Sequence, residues 1–149
     1  MPSDPLENLA SIGLLDKVPF SNDLLAKMLA TARLRLADAM RLENSPETRF
    51  DCAYTAIRAI ADAALLTHGY RTSTSKPGHH QTTLQCLTQT LGVDIKTIRI
   101  LDGLRKQRNL SDYDGELITE QALSECIKKA FELQELANGK LPMTTDQKS

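Results

Sequence analysis

The stretch Leu101–Tyr113, LDGLRKQRNLSDY, decides how this chain is read. As a helix it advances about 100° per residue, so residues three or four apart share a face. The apolar stripe that begins at Ile95, Ile98 and Leu101 then continues through Arg105, Arg108, Asn109 and Asp112. Charged side chains are rarely buried without partners, because desolvation costs several kcal/mol per ion. A face that turns from Leu and Ile to Arg and Asp must emerge into a polar cleft, carry an internal ion pair, or meet a partner. The simplest option is an Arg108–Asp112 pair at i,i+4, worth only about 0.2–0.5 kcal/mol on an exposed helix.

Outward from that stretch, the chain of 149 residues has the length of one domain with a real core. Its 41% hydrophobic and 25% charged residues are ordinary for a globular protein. The formal charge of −1 supplies no general basic field, so a nucleic-acid partner would need local clusters such as Arg33/Arg35/Arg41 or Arg99/Arg105/Lys106/Arg108. Cys52, Cys86 and Cys126 are an odd, widely spaced set without a C-x-x-C pair. They read as small buried hydrophobes in a reducing compartment, not as a disulfide framework or zinc site. No secretory pattern opens the chain and no apolar run approaches the roughly 18 residues of a membrane span, so a cytoplasmic protein without a membrane partner is expected.

Strand signals are nearly absent, while Ala and Leu dominate. Asp4-Pro5 is a cap followed by a first-turn proline, opening a short amphipathic segment, Leu6–Leu15, in an arm of residues 1–20. Ser21 or Asn22 caps a helix over Asp23–Glu43, with Leu24, Leu25, Met28, Leu29, Ala32, Leu36, Ala39 and Met40 on one broad apolar side. Ser45-Pro46 opens an alanine-rich helix to His68, with Tyr54 as a core residue whose hydroxyl reaches the rim. Gly69–Gly78 reads as a mobile polar loop. His79 and His80 begin the next helix; neighbours on a helix point apart, so they form no metal pair, but a helix start attracts anions and both could help hold a phosphate. Asp94 caps the central helix, Gly115 breaks it, Thr119 opens the last one, and Asn138-Gly139 stops it. The bundle then spans residues 21–139, followed by a disordered tail, Lys140–Ser149. The expected fold is all-α: an antiparallel up-and-down bundle of about five helices.

The order of features also carries a resemblance. An alanine-rich helix with A-Y-x-A-x-R-x-x-A (Ala53–Ala61) leads into a G-Y-R loop; a histidine-led helix follows, then a helix ending R-x-x-R-N-x-x-D-Y-D (Arg105–Asp114). Over residues 22–138 this resembles the HEPN superfamily of small all-α domains. The resemblance implies a homodimer with the polar motif facing a cleft. It also implies a nucleotide-binding or RNA-binding role, or pairing with a nucleotidyltransferase partner in a toxin–antitoxin system. Many members are ribonucleases that use an arginine, a following polar residue and a histidine four to six residues beyond the arginine. Arg108 and Asn109 match the start of that motif, but Tyr113 stands where the histidine would be placed. Histidine trades protons near neutral pH; tyrosine, with a pKa near 10, does so poorly.

The leading expectation is therefore a binding module without a cofactor or metal, acting through an Arg105/Arg108 cleft with Asp112, His79 and His80. The alternative is a metal-independent ribonuclease: Arg108 stabilises phosphorane charge, Asn109 orients it, and His79, His80 or Tyr113 handles protons. A helical adaptor with a structural Arg–Asp pair is the third reading.

Overall fold

The computed structural model describes residues 4–142. The tail is described only at Lys140, Leu141 and Pro142; the rest of that expectation, and the first three residues of the arm, lie outside the described residues. The fold is an all-α helical bundle, as the sequence leads one to expect. Its centre is α3 (Pro46–Thr67), which packs most extensively on α2 (Asn22–Ala39) and then on α7 (Glu120–Lys140). Between α3 and α7 the chain passes through α4 (His79–Gln85), α5 (Leu87–Leu91) and α6 (Ile95–Asp114).

The caps fall where the sequence puts them. Ser21, Ser45, Asp94 and Thr119 each accept a backbone N–H from three residues on, satisfying one of the free donors of a first helical turn. Gly115 ends α6 at φ +71°, a left-handed conformation that strains any residue with a Cβ. The long bundle helices alternate in direction. The Arg108 end of α6 lies beside Asp51 near the start of α3, whereas Ile118, just before α7, donates its N–H to Glu47 at that same end. At the opposite end, Lys140 Nζ donates to the Leu91 carbonyl.

Alanine explains why α3 is central. Ala53, Ala56, Ala61, Ala63 and Ala64 are all buried, so neighbouring helices approach closely on several sides. Phe50, Tyr54, Ile57 and Ile60 fill the spaces between them. The three cysteines are free and buried, as expected of small hydrophobes. Burial pushes the Cys86 thiol up to about 11 and raises those of Cys126 and Cys52 as well.

Three expectations need correction. Gly69–Gly78 is not wholly a loop: Tyr70–Thr72 (β2) pairs antiparallel with Leu15–Lys17 (β1), and Thr72 and Ser73 are buried. Three-residue strands are too short to show alternation in sequence. This ribbon fastens the arm, including α1 (Pro5–Ser11), to the end of α3. There Leu6, Leu15, Leu65, Tyr70 and Cys86 form a small core of their own. The Tyr70 hydroxyl donates to Glu7 Oε1 at 2.6 Å, which holds the Glu7 carboxyl below its usual range. Second, α2 ends at Ala39 rather than Glu43, because Arg49 Nε and Asn44 Nδ2 take the carbonyls of Ala39 and Asp38. Third, Asn138-Gly139 does not stop α7, which runs to Lys140 with Leu141 buried just beyond the expected end. Packing there outweighs the weak helix propensity of glycine, about 1 kcal/mol.

Candidate anion-binding site

Along α3, residues Asp51, Thr55, Arg58, Ala59 and Asp62 are only partly covered. Their spacing of three, four and seven places them on one stripe of an otherwise enclosed helix. The C-terminal half of α6 and the start of α4 flank that stripe and leave a polar cleft of about 280 Å³.

Arg108 enters the cleft from α6. Ile98, Leu101 and Leu104 precede it as buried residues, although Ile95, the expected start of the stripe, is 58% exposed. Arg108 itself retains 27% exposure. Its Nε donates to Asp51 Oδ1 at 2.8 Å and lies 3.6 Å from Asp112 Oδ2. The guanidinium carbon sits 5.4 Å from the centre of the Tyr54 ring, within cation–π range. Burial works against its charge, but the Asp51 hydrogen bond and the two carboxylates outweigh it, so its pKa rises. The Arg108–Asp112 pair read from the sequence is present, yet the shorter contact is to Asp51, 57 residues away.

Opposite Arg108, the cleft is lined by Arg58, Tyr54, Asp62 and His80. Arg58 is 21% exposed and meets Asp62 only at 3.8 Å, and its Nε is buried without a hydrogen-bond partner. The Tyr54 hydroxyl is likewise buried and unpartnered, which fits a core residue whose polar tip reaches the cleft. Burial raises the Tyr54 pKa, so the group is a neutral donor. Burial also raises that of Asp62, against the pull of Arg58. His80 is lowered to about 4, by burial first and then by Arg58 and the other cations around it. It is neutral at pH 7, with one ring nitrogen donating and the other accepting. Two guanidinium groups, a phenol and a neutral imidazole converge here, the donor set that suits a phosphate or carboxylate.

The other residues singled out in the sequence do not join them. Arg105 is not part of the lining; its Nε donates to Asp102 Oδ1 at 2.8 Å within α6. The Arg105/Arg108 cleft is thus an Arg58/Arg108 cleft. Asn109 is half-buried on α6, and Tyr113 is 84% exposed beyond the cleft. Asp112 supports Arg108 from outside the lining. The two histidines do not point apart as neighbours on a helix are expected to: their rings meet edge to face with centroids 4.5 Å apart, His80 lining the cleft and His79, whose Nδ1 lies 3.3 Å from the Lys76 carbonyl, lining the adjoining groove. No group of three His, Cys, Asp or Glu side chains among the described residues is arranged to hold a metal ion. No helix among them is long and apolar enough to cross a membrane.

With this geometry in view, comparison with protein-family models, curated proteins and solved structures finds no match to the chain. Sequence reasoning missed Asp51 and gave Arg58 no role, although Arg58 lies inside the A-Y-x-A-x-R-x-x-A motif. The available signal was their spacing: Asp51, Arg58 and Asp62 recur at seven and four, a charged line on a helix otherwise rich in Ala and Ile.

Proposed function

We propose that this chain is a HEPN-like binding module that recognises the phosphate of RNA or a nucleotide through the Arg58/Arg108 cleft. One observation carries the reading. Arg108 continues a buried apolar face, is fixed there by Asp51 and Tyr54, and faces a second arginine with an unpartnered buried nitrogen. An Arg held by one carboxylate through Nε still has other N–H groups for a phosphate. Resemblance adds the expectation of a homodimer or of a nucleotidyltransferase partner. The exposed Leu110, Tyr113 and Leu117, at the end of α6 and just beyond it, are apolar surface that a second copy would cover.

A second reading, a metal-independent ribonuclease, draws support from His80. The histidine missing after Arg108 has a counterpart in the cleft, although its pKa of about 4 makes it a weak base unless a bound phosphate offsets the cations that lower it. Tyr113 is too far out on the surface to serve. Incubating the purified protein with total RNA in EDTA separates the two. Binding without cleavage, weakened in Arg108→Gln, supports the module. Cleavage abolished by both Arg108→Gln and His80→Gln supports the nuclease. Neither effect, with only stability altered, leaves the cleft a structural ion-pair site.

A further inference from the structure

The stripe of α3 that floors the anion cleft does not end at Asp62. It runs on into a second depression of about 580 Å³, walled by the start of α2 and by the β2 segment. Arg58 and Asp62 line both spaces. Beyond them the character changes to aliphatic: Val18, Pro19, Leu24, Met28 and Leu66 make the walls. From Arg58 to Leu66 the helix rises about 12 Å, at roughly 1.5 Å per residue. The volume falls within the roughly 300–1,000 Å³ typical of small-molecule pockets. Leu24 is 41% exposed at its edge, an apolar group for which the fold supplies no cover.

We propose that this groove binds a small amphipathic anion, with its carboxylate or phosphate head on Arg58 and an aliphatic chain over Leu24, Met28 and Leu66. Charge complementarity selects that class. The polar end of the groove presents the Arg58 guanidinium, whose terminal nitrogen is 3.8 Å from the nearest carboxylate oxygen, on Asp62, too long for a hydrogen bond. An added oxyanion would satisfy that guanidinium, while the aliphatic wall would take a chain out of water at about 0.8 kcal/mol per buried methylene. The rest of the lining is mixed: the Ser21 hydroxyl accepts the Leu24 N–H and the Thr72 hydroxyl is bonded to that of Thr83 at 2.6 Å, while Arg71 adds a second cation and Thr74 and His79 further polar groups. The groove shares Arg58 and Asp62 with the anion cleft, so a ligand here competes with an RNA phosphate for Arg58, but its aliphatic wall takes no part in phosphate recognition.

The test is isothermal titration of the full chain with decanoate, decyl phosphate and decanol, each below its aggregation threshold. Saturable one-to-one binding of decanoate or decyl phosphate is expected, at least tenfold tighter than decanol. The tighter of the two acids identifies the head group. Arg58→Gln should weaken the anion at least tenfold and bring it level with decanol. Leu24→Asp, at an exposed position that leaves folding intact, should weaken all three probes. Non-saturable uptake, equal affinity for decanol and the acids, or no effect of Leu24→Asp would overturn the proposal.

Discussion

Arg108 combines two roles that usually separate, filling space at the edge of a core and presenting charge to a cleft. Its aliphatic stem follows Leu101 and Leu104, while its guanidinium is held between Asp51 and the Tyr54 ring. Arg108→Gln removes a charged hydrogen bond to an aspartate that is itself half-exposed, so the expected destabilisation is about 1 kcal/mol, read as a lowered urea midpoint. Arg108→Lys should keep the charge and lose much of the binding, because an ammonium cannot engage a carboxylate and a phosphate through one planar fork. His80 makes a pH prediction. Its folded pKa of about 4 lies below the ordinary histidine value of about 6.5, so between these values the unfolded chain binds more protons than the folded one. The stabilisation from a neutral His80 is therefore complete above pH 6.5 and is lost as pH falls toward 4. Urea midpoints measured from pH 7 to 4 should fall more steeply for the wild type than for His80→Gln.

Among the elements, α3 decides both the packing and the site. Its buried alanines set how near α2 and α7 can come, so Ala56→Leu, at a position with no exposure, should cost about 1–3 kcal/mol through overpacking. Chemical denaturation of the variant measures that directly. Ser45→Ala, which deletes the hydroxyl that accepts the Thr48 N–H, should cost about 1 kcal/mol and lower the melting temperature. These features were legible because helix caps and alanine runs act locally. The end of α7 and the β1–β2 ribbon were not, because buried Leu141 and the arm's small core act through tertiary contacts. Asp51 was missed for the same reason: nothing near it in sequence announces a partner 57 residues away.

For the whole molecule, the cleft exists only where α3, α4 and α6 meet, so its membership is a property of the fold rather than of one motif. Sequence periodicity placed Arg105 and Arg108 together on α6; the packing brings Arg108 into the cleft against Asp51 and leaves Arg105, the less exposed of the two, paired with Asp102 outside it. If a second copy covers Leu110, Tyr113 and Leu117, sedimentation should show a dimer that Leu117→Glu dissociates. A monomer at all concentrations would remove the dimer from the account. Joint binding of one phosphate by Arg58 and Arg108 is the proposal on which the function rests. It is tested most directly by fluorescence anisotropy with a short 5′-phosphorylated single-stranded RNA in EDTA, comparing Arg58→Gln, Arg108→Gln and Arg105→Gln. Loss of one charge-assisted contact, about 1.5–3 kcal/mol, predicts at least a tenfold weakening for each of the first two. Arg105→Gln should stay close to wild type. Equal affinities across all the proteins, or a loss confined to Arg105→Gln, would contradict it.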